Sequence, residues 1–322
     1  MNPEQVGSLL EEIRQSAGIN DEAEITLEAN PGTVSPESLT ALRQGGVNRL
    51  SLGIQSFFDE DLRVLGRIHS ADQTRQSISQ AQQAGFDNLS LDFIFGLPGQ
   101  SLVAWKENLE EAVSSGIQHL SLYSLIVEPN TPFERDIKSG KLQLPKGDLV
   151  ADMFELAMDY LPTQGFNQFE ISSWAIGKEN ESRHNKVYWQ NQDYFGFGAG
   201  AHGKVGDYRV ENTPSIETYI SKMAEPQPIS GFSPANVEKI FIDQYTAMQE
   251  SMMLGLRMTR EGVSENKFRA RHRANMTQVF KDEISTLQNN GLVEWHNLPG
   301  GRHLVLTRRG IMLGNLVFQE FV

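Results

Sequence analysis

Asp92 lies in the run NLSLDFIFGLPGQ, Asn88 to Gln100. Leu89, Leu91, Phe93 and Phe95 give a buried strand, and Gly96, Pro98 and Gly99 stop it. An unpartnered carboxylate in such a strand costs roughly several kcal/mol, so it must face a partner, a cation or a polar ligand. Two further polar residues occupy matching positions toward the carboxyl ends of strand-like runs. They are Glu28 in EITLEANPG and Gln55 in RLSLGIQS. A second cluster is HNKVYW, His184 to Trp189, which sets an imidazole beside an amide and two aromatic rings. A lone histidine usually hydrogen-bonds within its fold; its other occupation is ligation of a metal. His202 in GAGAH is a weaker candidate, more at home as a structural residue beside its glycines. FGFGAG, residues 195–200, lacks the Lys and the Ser or Thr of a phosphate loop and reads as a tight strand or turn.

Composition closes off several chemistries. The 322 residues contain no cysteine, which excludes disulfides, thiol nucleophiles and any cysteine-ligated zinc or iron–sulfur centre built from this chain alone. Lys and Arg total 28 against 41 Asp and Glu, a net charge of −13, so a general nucleic-acid binder is excluded. The basic residues Lys267, Arg269, Arg271 and Arg273 are scattered around a helix by their spacing and read as a solvated face. No apolar run approaches the roughly 18 residues of a membrane span, and no secretory signal is visible. The expectation is a cytoplasmic protein.

The elements that must position these residues follow a short repeat. RLSLGIQS, NLSLDFIFG and HLSLYSLIV each open with Leu-Ser-Leu, and EITLEANPG has similar alternation. Helical segments separate them at Pro36–Gly45, Gln73–Ala84 and Leu102–Ser115, each closing near a glycine. Strand and helix alternating in this way predict a parallel sheet with right-handed crossovers. Ile25, Leu27, Leu50, Leu52, Ile54, Leu89, Leu91 and Phe93 share one face. Thr26, Glu28, Ser51, Gly53, Gln55, Ser90 and Asp92 share the other. A doubly covered open sheet would be apolar on both faces. One small, polar face favours a βα-barrel whose interior holds a ligand at the carboxyl ends of its strands. The domain reading is 1–223 for the barrel and its extension, 224–235 for a Pro-, Gly- and Ser-rich linker, and 236–322 for a C-terminal domain. In the last, helices at Val237–Leu256, Ser264–Arg271 and Thr277–Asn289 precede a hairpin at GLVEWHN and RHLVLT. A helix from Arg308 to Phe321 closes a winged-helix-like α+β module.

Eight motifs in order, EITLEANPGT, GVNRLSLGIQSF, LGRIHS, DFIFGLPGQ, HLSLYSLIVEPNTPF, QFEISSWA, SRHNKVYW and FGFGAGAH, carry a resemblance over most of the chain. The sequence closely resembles the HemW-type heme chaperones, a branch of the radical S-adenosylmethionine (SAM) proteins near oxygen-independent coproporphyrinogen III oxidase. Members of that family open with a strand carrying CxxxCxxC, which holds a [4Fe–4S] cluster, followed by a GGGTP turn that meets SAM. Neither motif occurs here. Met1 to Ala17 resembles the helix after that turn, so the resemblance implies a partial (β/α) radical-SAM barrel lacking its first βα units. A start assigned too late is the preferred account, with a real truncation as the alternative. The family's SAM contacts map onto Glu28, Gln55, Arg67, Asp92 and Ile126, with Arg67 available to offset Asp92. HNxxYW is associated with heme in this family, which makes His184 the axial ligand and Asn185, Tyr188 and Trp189 its supports.

The resemblance thus implies a heme chaperone that binds heme and SAM and delivers heme to acceptor proteins, membrane respiratory proteins among them. It leaves a homodimer open and implies no nucleic acid. The alternatives are coproporphyrinogen III oxidation in porphyrin biosynthesis, and a degenerate, non-catalytic relative. Whether the chain is an enzyme is open, because SAM cleavage needs the cluster. The chain by itself should therefore take up no [4Fe–4S] cluster on anaerobic reconstitution and form no 5′-deoxyadenosine. Visible absorption of a cluster on the purified chain would refute the argument from cysteine.

Overall fold

The structure, a computed structural model, describes residues 2–225 and 232–322. Half of the linker expected at 224–235, residues 226–231, thus lies outside the described residues. Two compact units divide the chain, Met1–Glu181 and Ser182–Val322. The break falls well before 224 for a topological reason: the strands on either side of 224–235 are neighbours in one sheet, and their hydrogen bonds hold both flanks in the same unit.

The first unit runs α1 (Pro3–Ser16), β1 (Thr26–Ala29), α2 (Pro36–Gln44), β2 (Arg49–Gln55), α3 (Asp59–Val64), α4 (Ala71–Gln83), β3 (Asn88–Phe95), α5 (Leu102–Ser114), β4 (His119–Ser124), α6 (Pro132–Lys138), α7 (Gly147–Thr163), β5 (Asn167–Glu170) and β6 (Ser173–Ala175). Its sheet has the order β1-β2-β3-β4-β6-β5, parallel through β4 and antiparallel beyond. Each parallel connection carries a helix, as crossovers between parallel strands require. Ser35, Ser70 and Ser101 cap α2, α4 and α5 by accepting from a backbone N–H three residues on. Gly46, Gly85 and Gly116 follow those helices with φ of +109°, +85° and +72°, the left-handed turn expected where each helix ends.

One face of the sheet is the core. Leu50, Leu52, Leu91 and Leu120 are fully buried, packed with Leu39, Ile78, Leu109 and Leu161 of the helices. Trp105 anchors this layer. It is fully buried, its Nε1 donates to the Met153 carbonyl at 2.8 Å, and its ring meets Phe93 and Phe95. The opposite face carries the polar residues, so the division of faces expected from strand parity holds.

The second unit runs α8 (Arg183–Trp189), β7 (His202–Val205), β8 (Tyr208–Asn212), α9 (Ile216–Met223), β9 (Asn236–Phe241), α10 (Gln244–Gly255), β10 (Val263–Ser264), α11 (Glu265–His272), α12 (Met276–Val279), α13 (Lys281–Asn289), β11 (Val293–Leu298), β12 (Gly301–Leu306), α14 (Arg308–Met312) and α15 (Gly314–Gln319). Two three-stranded sheets form, β7-β8-β9 and β10-β12-β11. From α10 onward, counting α12 and α13 as one helix broken at Phe280, the helix–strand–helix–helix–hairpin order is that of a winged helix.

Three sequence expectations need correction. The helix placed at Val237–Leu256 starts only at Gln244, because residues 236–241 are β9, paired antiparallel with β8. Asp243 then caps α10 by accepting from Tyr245 and Thr246 N–H. The helix at Thr277–Asn289 breaks at Phe280, and the last helix breaks at Leu313, both with ψ near zero to positive.

Because Trp105 ties α5 to α7 and to the sheet, Trp105→Ala should cost about 3–5 kcal/mol of unfolding free energy. Urea denaturation of the variant reads this directly; a loss under 1 kcal/mol, in order of magnitude, would show that the site collapses to fill the space.

Candidate functional site

Cross-strand register builds the polar face row by row. Glu28 pairs with Ser51, Ser51 with Ser90, and Ser90 with His119. One step along, Asp92 pairs with Ser121, and Ser121 with Ser173. Partners in register share a face, so these side chains line the same surface. Ser51 Oγ donates to both oxygens of Asp92, at 3.1 and 2.9 Å, and Ser90 Oγ lies 3.4 Å from Oδ1.

Charge on this face is sparingly compensated. Burial pushes the Asp92 carboxyl above its ordinary value. Hydrogen bonds from Ser51 and Ser121 and the charge of Arg49 pull it back, and Glu28 raises it further. Arg49 is buried, and burial lowers its pKa against the attraction of Glu24, Asp92 and Glu28. His119 is fully buried and held well below its usual value, by burial first and then by Arg49, so it is neutral at pH 7. Its Nδ1 lies 2.8 Å from Ser90 Oγ. Partial burial of the ring, with help from Asp92 and Glu170, pushes the Tyr123 hydroxyl up to about 12, although the residue as a whole stays partly exposed. Three buried atoms here, Arg49 Nε, His119 Nε2 and Ser173 Oγ, have no hydrogen-bond partner among the described residues. Orphaned polar atoms of this kind mark a surface that expects water or a polar ligand.

The expected SAM contacts are distributed unevenly. Glu28 is exposed at the end of β1. Gln55 is buried at an irregularity that closes β2, with φ +67°. A Cβ on Gly53 would stand 3.0 Å from Gln55 Nε2 and 3.1 Å from Asn30 Oδ1, so glycine there leaves room for both side chains. Arg67 Nη1 donates to Asn30 Oδ1 at 3.3 Å. The expectation that Arg67 offsets Asp92 is therefore corrected: Arg67 is engaged by Asn30, and the cation acting on Asp92 is Arg49. Ile126 is 75% exposed, beyond the end of β4. Sequence reasoning missed Arg49, His119 and Asn30. Arg49 and His119 stand two residues before the serines of Leu-Ser-Leu, so the same parity already placed them on the polar face.

HNKVYW forms α8 in the second unit. Ser182 caps it, accepting from Asn185 N–H at 3.2 Å. His184 is exposed, while Asn185, Tyr188 and Trp189 are half-buried. Helical spacing stacks His184 over Tyr188 and Asn185 over Trp189. The His184 and Tyr188 rings lie 4.8 Å apart edge to face, and Tyr188 meets Tyr194 at 4.6 Å in the same manner. Tyr194 bridges Lys204, which puts it on the face of β7 that also carries His202. His202 is exposed. Arg257 lies over the Trp189 ring, 5.2 Å from its centroid.

With this geometry in place, comparison with known proteins is direct. A profile of the Radical SAM superfamily matches residues 2–112, and one of the HemN C-terminal domain matches 242–313. The heme chaperone HemW of Bacillus subtilis (strain 168) is 38% identical over 323 residues, covering 100% of this chain and 82% of that protein. The chain belongs to the HemW family. HemW of Lactococcus lactis is 33% identical over 322 residues, with 100% and 81% covered. The mitochondrial radical S-adenosyl methionine domain-containing protein 1 of Danio rerio is 33% identical, with 96% and 68% covered. The fold is that of the radical SAM coproporphyrinogen III oxidase HemN from Escherichia coli, with a TM-score of 0.80 over 100% of this chain and 74% of that one, at 20% identity. Among the described residues no helix is long and apolar enough to cross a membrane.

Asp92 holds its proton more tightly in the folded chain than in the unfolded one. Its ionisation therefore subtracts stability as pH rises from about 4 through the raised folded value. Asp92→Asn removes that loss, and its melting temperature should gain on the parent chain between pH 4 and pH 7 in calorimetry. A variant that loses ground as pH rises would make the carboxylate a net stabiliser.

Proposed function

We propose that this chain works as a heme chaperone of HemW type, taking heme on α8 and passing it to acceptor proteins in the cytoplasm. The observation that carries this reading is the exposed imidazole of His184 on α8, backed edge to face by Tyr188 of the same helix and then by Tyr194 beyond its end, in a chain of the HemW family. An imidazole at the surface can reach the iron of a flat macrocycle, and edge-to-face aromatic neighbours supply apolar area and hold the imidazole's orientation. His184 would be the axial ligand, with Asn185, Tyr188 and Trp189 as its supports. Porphyrin oxidation is the weaker alternative, since the chain offers no thiolate for the cluster such chemistry needs.

The polar face of the first unit fits SAM. Its unpartnered Arg49 Nε and His119 Nε2 and the carboxylates of Asp92 and Glu28 suit a zwitterionic, hydroxyl-rich ligand. Glu28, Gln55, Arg67 and Asp92 would hold it, with Ile126 as the apolar contact. When bound beside a reduced cluster, SAM supplies radical chemistry. What this chain's own residues do is bind and orient it: Ser51 fixes the Asp92 carboxylate, and Asn30 ties Arg67 beside Gln55.

Heme added to the chain should give a Soret band displaced from that of free heme. His184→Ala should abolish the displacement or weaken binding at least about tenfold, roughly 1.4 kcal/mol. His202→Ala should leave the spectrum unchanged. A Soret position and ligand-field bands identical in His184→Ala and the parent would sink the axial-ligand assignment.

A further inference from the structure

The second unit contains a cavity of about 110 Å³ at the carboxyl end of α8. Trp189 forms one wall, Ser251 of α10 another, Lys267, Arg271 and His272 of α11 a third, and His303 of β12 a fourth. The helical spacing that was expected to scatter the basic residues into solvent in fact brings Lys267 and Arg271, one turn apart, onto the same cavity wall.

The wall is positive. Arg271 is fixed there by donating Nη1 to the Gln190 carbonyl at 3.0 Å and Nη2 to the Asn191 carbonyl at 2.5 Å. Lys267 has no carboxylate partner among the described residues. Glu261 also lines the cavity, but Lys186 Nζ stands 3.9 Å from its carboxylate. His272 Nε2 lies 2.9 Å from Ser251 Oγ, and burial together with Arg271 pushes its pKa down to about 4, so it adds no charge at pH 7.

Two buried polar atoms of the lining, Trp189 Nε1 and His303 Nε2, have no hydrogen-bond partner among the described residues. His303 is only 6% exposed. Its Nδ1 is 2.7 Å from the Glu261 carbonyl, which can only accept, so Nδ1 carries the proton and Nε2 presents a lone pair in the neutral ring. Leaving such groups unpaired is destabilising, because each has lost its water without gaining a partner. A ligand that relieves both must accept from the indole N–H and share a proton with an imidazole nitrogen, beside an ammonium and a guanidinium. A carboxyl group does all of this. The bare carboxylate accepts from Trp189 and Lys267, and one proton drawn from solvent sits between its second oxygen and His303 Nε2.

We propose that this cavity is a carboxylate-binding site that receives one acidic side arm of the tetrapyrrole. The identity of the acid rests on the heme reading above; the carboxylate site itself does not. Trp189 follows His184 by five residues, about 7.5 Å along the helix axis, a span comparable with that from a porphyrin's centre to its carboxylates.

The test uses the whole chain and two kinds of probe. Sodium propionate is titrated into the chain without heme while the Trp189 indole N–H is followed by NMR, with Trp189→Phe identifying the signal. Saturable shifts are expected, tighter at pH 6 than at pH 8 because a proton is taken up, and at least fivefold weaker in Lys267→Met and in His303→Phe. Heme is then compared with its dimethyl ester. Heme should bind at least tenfold more tightly, and the preference should fall toward unity in Lys267→Met, whose exposed helical position leaves folding intact. Propionate binding in a chain that takes no heme would uphold the carboxylate site and fell the heme reading. Heme binding that ignores esterification and the Lys267 change, with an indole signal unmoved by propionate, would overturn the site and leave the heme reading standing.

Discussion

Arg49 and Asp92 are opposite charges carried on the inner face of a sheet whose other face is the hydrophobic core. Everything else in the first unit is compatible with that arrangement or enforces it. The parallel strands fix the register, so Ser51, Ser90 and Ser121 stand beside Asp92 and cannot drift to the core face without moving every leucine out of it. The serines are small enough to leave the interior open and polar enough to solvate the carboxylate. They do not solvate it fully. Burial still raises the Asp92 pKa, and Arg49 is still held below its usual value. A sheet built only for stability would replace such a pair by apolar side chains, because desolvation of two ions commonly outweighs their attraction. Keeping them, with three orphaned polar atoms close by on the same face, is intelligible if a ligand completes the set.

A different logic operates in α8. There the helix is short, seven residues, and its own hydrogen bonds would not hold it in water. It is held by Ser182 at its start, by Arg271 on the carbonyls past its end, and by the rings of Tyr188 and Tyr194 along its side. The same contacts determine what the helix presents. His184 is left accessible at one end, and Trp189 is pulled into the cavity wall at the other. One short motif thereby offers an imidazole for a metal and an indole N–H for an anion, and that pairing suits a metallated acid macrocycle better than it suits a bare metal ion or a simple acid.

Much of this was legible in the sequence, and the reason is periodicity. The Leu-Ser-Leu repeats announced strands, their parity divided the faces, and the following glycines marked helix ends. Glu28, Gln55 and Asp92 were found that way; Glu28 and Asp92 keep that phase, while Gln55 follows a register shift and returns to the polar face only through its amide beside Gly53. The same parity held Arg49 and His119, which open the runs RLSLGIQS and HLSLYSLIV and were not singled out there. What periodicity could not give was contact. Arg67 seemed the natural partner for Asp92, yet the side chain reaches Asn30 instead. Residues 236–241 alternate too weakly to be told from the helix that follows, and only pairing with β8 makes them a strand. The break at Phe280 goes with its burial among Tyr245, Phe268 and Phe321, which no local pattern shows, whereas at Leu313 the following Gly314 was a local signal left unused. The walls of the cavity come from α8, α10, β10, α11 and β12, and no local pattern links Trp189 to His303.

The absence of cysteine bears differently on the two units. Iron–sulfur chemistry needs thiolates, so whatever radical chemistry the polar face of the first unit serves cannot be completed by residues 1–322 alone. Heme capture through an imidazole makes no such demand. The groups invoked for it, His184, Asn185, Tyr188, Trp189, Tyr194, Lys267 and His303, all lie within Ser182–Val322, and none is a thiol. The proposed heme binding therefore draws on none of the groups that SAM cleavage would require. The physical requirement for a chaperone is also the milder one. A cargo must be held by one axial bond and reversible apolar contacts and then released, which an exposed histidine on a short, externally braced helix can do, and which a deeply enclosed site would hinder.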